Sequence, residues 1–577
     1  MWQLGRFLFF ILLFTFVENY QRNDIFKESL TIKPLSDGKL LTHFQFNVRT
    51  SEIKEGKAFS HYKFFPRAIG QIIQSYNARE LHLTFTQGRW NYEDWGYPIV
   101  PSAGTGVELW AWLWKDGKLD KNWKSLTNAL AGLFCASLNF IDDTITVQPK
   151  LSFRPEGLYN ATELSARAEL RYGSLPHENV CTENLTPWIK LLPCKSTSGI
   201  ASLLNGHKLY DSNFHSMSIH VRPVCQDLEC LDRQLEIVQT VSAVVDPVRN
   251  SGKRDWSLDQ IFGRRLSQAC PLAEESKLEV ILSENGDYKL SPAVDDVRKN
   301  DGDATIALYN LKTLQLETDI SMTWNEDVFK YSKNQCFWFL LPPIQFDNSF
   351  FLDLNYEQPR VYAHRFFTGY GQERGGIKVN IFNKSTNMTV PIIYYDVIPW
   401  FLKLYLHTLK VQINGEEVRD SPVSPIKDLY YQPAVDRSRP NVIEAELLLP
   451  PNSITTLSIN FDKVFLKYTE HPPDANRGFD IGSAVISSIG EGFNHLHDFM
   501  TRNCSEDIPK ATCHHFFIRV YTETLLVSLP TPDFSMPYNV ITLTCTVIAL
   551  FFGSTFNLLT RDFVALQPNE GNKNKEG

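Results

Sequence analysis

The segment "GYGQERGG", Gly369 to Gly376, has enough glycine to cradle a phosphate, but its spacing is not G-x-G-x-x-G. The following "IKVNIF" alternates like a strand, so a glycine-rich hairpin or loop is expected there. "CHH" (Cys513, His514, His515) and "HLH" (His495, His497) hold zinc-ligand types. Neither comes with the C-x₂-C or H-E-x-x-H spacing of a zinc site. "CQDLEC", Cys225 to Cys230, reads as half of a disulfide framework rather than a redox pair. A nucleophilic cysteine needs a histidine held beside it, and no known local signature surrounds any cysteine here. G-x-S-x-G is also absent. A glycosidase needs only two carboxylates across a cleft, and 65 acidic residues do not discriminate. The motifs therefore assign no catalytic residue, no metal and no cofactor.

The two ends of the chain are more informative. Arg6 precedes an apolar run from Phe7 to Val17, the form of a secretory signal peptide; a buried N-terminal helix is the alternative. From Val540 to Leu559 an uncharged run matches the length of a membrane-spanning helix. Thr542, Thr544, Thr546, Thr555, Gly553, Ser554 and Asn557 make it only moderately apolar, which suits packing against other helices in a membrane complex. Together these features give a type I topology with a large lumenal body. The closing "KNKEG" places Lys573 and Lys575 as in a K-x-K-x-x retrieval signal, with a solvated lysine-rich tail as the alternative. A net charge of −8 without basic clusters speaks against nucleic acid as a partner.

Period-two alternation dominates the body and predicts antiparallel β-sandwich units. "HFQFNVR" sets Phe44, Phe46 and Val48 on one face, and "LHLTFT" does the same with Leu81, Leu83 and Phe85. Asn285-Gly286 and Asn414-Gly415 supply tight hairpin turns. Helices are expected after Pro66, across "SLTNALAGLFCASLNFI", and over "DWSLDQIFGRRL" with a cap at Asp255. Five of twelve tryptophans fall between Gly88 and Trp114. In "VELWAWLW" both faces are apolar, so a strand buried on both sides or covered by a partner subunit is expected. The polar stretch Asp246 to Asp255 is the expected boundary between two lumenal units.

Cys545 lies in the span, which leaves nine lumenal cysteines: Cys135, Cys181, Cys194, Cys225, Cys230, Cys270, Cys336, Cys504 and Cys513. An odd number points to an intermolecular bridge or a free thiol, for instance a buried Cys135. Cys194, Cys225, Cys230 and Cys270 are candidates for intrachain pairs. N-x-[ST] sequons stand at Asn160, Asn184, Asn383, Asn387 and Asn503, compatible with a glycoprotein.

Several stretches, in order along the chain, resemble the PIG-T family, the large lumenal subunits of GPI transamidase. They include "WGYPIVPSAGTGVELWAWLW", "CTENLTPWIKLLPC", "FHSMSIHVRPVC", "FTGYGQERGG", "YQPAVDRSRP" and "LLVSLPTPDFSMPYNVITLTCT". The resemblance implies a non-catalytic subunit in the endoplasmic reticulum membrane. Its implied partners are a caspase-like catalytic subunit (PIG-K type), other membrane subunits, GPI lipid and precursor proteins. It also implies that Cys181 forms a disulfide to the catalytic subunit; an internal pair with Cys194 is the alternative. In "PDFSMPYNV", Tyr538 and Asn539 would lie at head-group level, where an amide can contact the GPI phosphoglycan or serve only as an anchor.

The expected layout is a signal peptide (1–18), an N-terminal lumenal domain (19–250) and a second β-rich lumenal domain (251–537). A transmembrane helix (538–560) and a cytosolic tail (561–577) complete it. The expected role is a scaffold that stabilises the catalytic subunit and helps present precursor and GPI. A lumenal glycan hydrolase, or a cell-surface adhesion or receptor glycoprotein, are the alternatives.

Overall fold

The computed structural model describes residues 24–51, 63–157, 167–225, 233–266, 268–283, 288–292, 294, 296–299, 304–312, 319–324, 361–369, 371–418, 425–471, 474, 477–488, 518–531 and 535–563. The signal-peptide segment, the Asn285-Gly286 turn, the "CHH" and "HLH" histidines, Asn160, Asn503, Lys573 and Lys575 lie outside the described residues. So do Cys230 and the side chain of Cys225.

The protein is mainly β. The first unit contains strands β1 (Ile25–Pro34), β2 (Leu40–Ser51), β3 (Ala78–Gln87), β4 (Gly106–Trp114), β5 (Ala168–Leu175), β6 (Phe214–Cys225) and β7 (Arg233–Val245). It continues with β8 (Trp256–Ser257), β9 (Glu275–Ser283), β10 (Tyr288–Ser291), β11 (Asp296–Lys299), β12 (Ala304–Asn310) and β13 (Ser321–Trp324). Ten of these form one sheet in the order β11-β12-β9-β1-β2-β7-β6-β3-β4-β5. All its pairings are antiparallel except β1 with β9, which is parallel.

Because β9, β11 and β12 extend this sheet, Asp246 to Asp255 does not divide the chain into two units. That polar stretch carries only the short turn of helix at Pro247–Ser251. The first unit runs on to Trp324, and a separate pair of sheets begins at Val361.

The first unit has helices α1 (Arg67–Ser75), α2 (Tyr92–Trp95), α3 (Leu119–Phe134), α4 (Thr182–Lys190), α5 (Gly206–Tyr210), α6 (Pro247–Ser251) and α7 (Leu258–Phe262), and most of them cover one face of the large sheet. Of these, α1, α3, α4 and α7 bury Ile69, Leu126, Leu130, Trp188 and Phe262 against the predicted inward row Phe44, Phe46, Leu81, Leu83 and Phe85. The layer opposite the sheet is thus largely helical, because these segments carry apolar residues at helical rather than alternating spacing. α7 is capped by the Ser257 hydroxyl, which accepts from the Gln260 amide at 3.2 Å, so the cap lies two residues past Asp255.

The second unit has β14 (Val361–Thr368), β15 (Arg374–Asn383), β16 (Val390–Ile398), β17 (Leu402–Ile413), β18 (Glu416–Glu417), β19 (Ile426–Gln432), β20 (Asn441–Leu449) and β21 (Ser453–Lys463). β22 (Phe479–Ile481), β23 (Val485–Ser488), β24 (Ile518–Tyr521) and β25 (Leu525–Val527) complete it. Two five-stranded antiparallel sheets, β14-β15-β21-β17-β18 and β19-β20-β16-β23-β24, enclose a shared core: a β-sandwich. The predicted Asn414-Gly415 turn joins β17 to β18 with φ of 51° and 89°. β14 and β15 pair antiparallel as the expected hairpin, joined through the glycine-rich stretch. Gly375 admits no Cβ, since one would meet the Phe461 ring at 2.8 Å.

The sandwich packs on the uncovered face of the large sheet. Trp110, Phe153 and Tyr172 of the first unit share a core with Tyr395, Val485 and Tyr521 of the second. β4 is therefore buried on both faces: Val107, Leu109, Ala111 and Leu113 point to the helices, and Trp110 points to the sandwich. Of the clustered tryptophans, Trp90, Trp95 and Trp110 belong to the core, with Trp90 and Trp95 packed beside Phe214, while Trp112 and Trp114 are half-buried. Last comes α8 (Ser535–Thr560), whose stretch Tyr538–Thr560 is long and apolar enough to cross a membrane (mean hydropathy 1.7) and is not buried by the body.

Candidate functional site

Cys181 is exposed and unpaired, at the N-cap of α4. Three contacts fix its peptide. Its N–H donates to Asn184 Oδ1 at 2.9 Å, its carbonyl accepts from Tyr210 Oη at 2.6 Å, and the same carbonyl accepts the Asn184 N–H at 3.1 Å. Burial, with Cys181 beside it, pushes the Tyr210 phenol above its ordinary value. Asn184 then donates from Nδ2 to the carbonyl of Phe134 at 2.9 Å, tying α4 to the end of α3. Trp188 anchors the helix from below, donating Nε1–H to the Ser218 carbonyl at 3.1 Å. The thiol thus sits on a rigid helix start rather than on a loop.

Among the described residues a disulfide joins Cys194 to Cys270, so the alternative pairing of Cys181 with Cys194 does not form. Cys135 is unpaired too, but it is exposed at the left-handed C-cap of α3 rather than buried. Two sequons are closed off in the fold. Asn184 is 1% exposed, and its amide is committed to the helix cap. Asn383 is 2% exposed and donates to the carbonyls of Met388, Leu449 and Pro450. A glycan on either nitrogen would displace these bonds, whereas Asn387 is exposed.

A second constellation, missed by motif reading, lies where the sandwich meets the large sheet. One register row across β6, β3, β4 and β5 is His220, His82, Trp110 and Tyr172. His82 stacks on Trp110 with ring centroids 3.6 Å apart. Its Nδ1 meets His220 Nδ1 at 2.9 Å, and its Nε2 meets Glu80 Oε1 at 3.0 Å. Burial lowers both imidazoles to about 3, so they are neutral, and each carries one N–H. His220 Nε2 has no partner. The arrangement that leaves a bare lone pair there, rather than a stranded donor, runs the protons from His220 Nδ1 to His82 Nδ1 and from His82 Nε2 to Glu80 Oε1.

Burial, then the charge of Glu156, raises the Glu80 carboxyl to about 8. Burial raises Glu108 to about 7; its two oxygens accept from Tyr521 Oη (2.9 Å) and Tyr172 Oη (3.0 Å). Glu156 answers differently. Burial opposes its charge, but Arg519 donates Nη1–H to it at 2.8 Å and holds it well below the carboxylate range. Arg519 also lies 5.0 Å from the ring centres of Trp110 and Phe153. Glu444 of β20 accepts the successive N–H groups of Lys150, Leu151 and Ser152 at 2.6, 2.7 and 3.0 Å. Chemically this is a set of inter-unit ties, packed under the sandwich rather than facing a cleft.

No group of three or more metal-ligating side chains occurs among the described residues. A serine–histidine contact exists, His43 Nδ1 to Ser242 Oγ at 2.8 Å, but burial lowers that imidazole to about 4, short of the range a general base needs near neutrality.

Tyr538 and Asn539 are exposed in the first turns of α8. This helix is less polar than its composition suggests. Thr542, Thr544, Thr546 and Thr560 donate their hydroxyls to the carbonyls four residues earlier at 2.7–2.8 Å. These groups are satisfied within the helix and do not by themselves demand a partner helix.

The family model described as Gpi16 subunit, GPI transamidase component, matches residues 8–255 and 247–577. The human protein named GPI-anchor transamidase component PIGT is 39% identical over 564 residues, which cover 95% of this chain and 92% of that one. GPI transamidase component GPI16 of Saccharomyces cerevisiae is 33% identical over 590 residues, covering 94% and 89%. The PIG-T homolog of Schizosaccharomyces pombe is 33% identical over 558 residues, covering 96% and 92%. Among solved structures, the collagen adhesin of S. aureus covers 87% of this chain and 94% of its own, at a TM-score of 0.17 and 7% identity, and carries no argument. This chain belongs to the Gpi16 family of GPI transamidase components.

Proposed function

We propose that this chain is a non-catalytic structural subunit of GPI transamidase. In this reading Cys181 is the covalent tie to a caspase-like catalytic subunit. Its accessible thiol on a braced helix start supports this, since the neighbouring Cys194 is already paired to Cys270. A covalent tie keeps the catalytic subunit at high effective concentration beside the membrane. The body lies in the lumen of the endoplasmic reticulum, α8 crosses the bilayer, and the residues after Thr560 face the cytosol. Tyr538 and Asn539 stand at the lumenal head-group level, where GPI and the precursor tail would pass.

The test is a non-reducing gel of the detergent-extracted complex, comparing the native chain with Cys181→Ser and, as a control, Cys135→Ser. Release of a caspase-like protein by Cys181→Ser alone is the expected result. Release by Cys135→Ser instead would move the tie to that residue. A native chain that migrates with no partner, and co-purifies with none, would overturn the reading.

A further inference from the structure

The end of the sandwich nearest α8 is aromatic. Phe479 pairs with Val527 on the last strand before the helix. The Phe401 ring lies 5.1 Å from Phe479, and Trp400 lies 6.0 Å from Phe401. Trp400 and Phe401 are only half-buried. Val464 donates its N–H to the Phe401 carbonyl at 3.0 Å, which places the next residue, Phe465, at the same end. Phe465 is 70% exposed, more than any other large apolar side chain of the two units among the described residues. Arg437 caps the group, its guanidinium 4.9 Å from the Trp400 ring centre.

The tether to the helix is short. Leu529 is still 5% exposed within the sandwich core, and α8 begins at Ser535. Six residues span at most about 20 Å when fully extended. The aromatic end is thereby held close to the head of the apolar helix, whatever angle the helix takes.

We propose that this end, Trp400, Phe401 and Phe465 with Arg437, docks on the head-group zone of the bilayer that α8 crosses. The occupant is a lipid surface. Aromatic side chains favour the membrane–water interface, and an exposed phenylalanine beside a tryptophan gains by leaving water there. Arg437, stacked on Trp400, sets a cation at the level of the lipid phosphates. It also donates Nη2–H to Glu470 at 3.1 Å, so the local charge is balanced, and neutral phosphatidylcholine is sufficient for docking. The docking would fix the sandwich upright on its anchor instead of leaving it to swing on six residues. It rests on α8 spanning the membrane and goes beyond the scaffold role.

The test uses the full chain, extracted with its partner subunits into phosphatidylcholine nanodiscs, with p-benzoylphenylalanine replacing one residue at a time. Phe465 is the probe position. Phe551, 72% exposed in α8, is the membrane control. Ile454, 40% exposed beside the Asn414 turn at the other end of the sandwich, is the distal control. Illumination is expected to give phospholipid adducts at 465 and 551 and none at 454, read as a mass shift on the peptide. Adducts at 551 but not 465, or adducts from 465 to another protein, would overturn the docking and leave the span intact. Absence of lipid adducts at 551 would overturn the span itself, and the docking with it.

Discussion

Tyr210 donates its phenol to the main-chain carbonyl of Cys181 at 2.6 Å, while Asn184 accepts the N–H of the same residue. The residue with the exposed thiol is therefore clamped on both sides of its backbone. Tyr210→Phe removes one clamp and is expected to cost about 1 kcal/mol, and Asn184→Ala about 2 kcal/mol, because it strands the Cys181 donor as well. Amide exchange at residues 181–185 should quicken in both variants, and an unchanged rate would mean the clamp is not what orders the helix start.

Glycopeptide mapping of the native protein should find Asn184 and Asn383 unmodified, as both amides are buried and bonded. Asn387 is the sequon among the described residues that faces solvent. A glycan found on Asn184 would require α4 to be capped in another way.

Arg519→Ala should separate the two units. It removes the 2.8 Å partner of Glu156 at the junction and leaves Arg222, at 3.8 Å, as the nearest cation, a loss of up to about 3 kcal/mol for a pair of this kind. The expected signature is a lower unfolding temperature together with new protease cuts in 147–157, the loop between Glu156 and the Glu444 ties. A variant as resistant as the native chain would show that apolar packing alone holds the junction.

Between pH 7 and 8 the protein should lose stability as pH rises. Glu80 and Glu108 have folded values of about 8 and 7, above the ordinary 4.5, so the folded state holds protons that the unfolded chain has released. The effect starts near pH 4.5, but His43, His82, His215 and His220 oppose it up to about pH 7, since burial keeps them neutral in the folded state while the unfolded chain still protonates them. Above about pH 7 the carboxyls dominate, each contributing up to about 1.4 kcal/mol per pH unit until its folded value is passed. Glu80→Gln should flatten the slope in urea titrations across this window, and an unaltered slope would remove Glu80 as its source.

Reducing the Cys194–Cys270 bridge, or replacing it with Cys194→Ser, should lower the unfolding temperature markedly. The bridge spans 76 residues of chain, and closing a loop of that size contributes about 4 kcal/mol by restricting the unfolded state. The exposed Cys181 and Cys135 should show no such dependence when replaced by serine.

Much of the architecture was legible because it is written locally. Alternation located β2, β3 and β15, helical spacing located α1 and α3, and the Asn414-Gly415 pair located a hairpin. The double burial of β4 followed from apolar residues on both of its faces. The unit boundary was not legible, because the pairing of β9 with β1 joins segments far apart and leaves no mark in either. The junction cluster was hidden for a related reason. Glu80 and His82 alternate along β3, as do His220 and Arg222 along β6, which resembles a solvent-facing row. Only the arrival of Glu156, Arg519 and Tyr521 from distant segments turns that row into an interior. Sequons fail similarly, since three letters do not report whether an amide is buried.

The parallel pairing of β1 with β9 has a consequence during synthesis. Leu30 stands opposite Leu278, so one side of the N-terminal strand must wait for its neighbour while roughly 250 further residues are made, on the order of tens of seconds at ordinary elongation rates. Throughout that interval a strand carrying Phe26, Leu30 and Ile32 offers an open ladder of main-chain donors and acceptors to any passing chain. The nascent protein is thus most exposed to mispairing at its beginning, and a chaperone that shields that edge until β9 emerges would act where it is needed most.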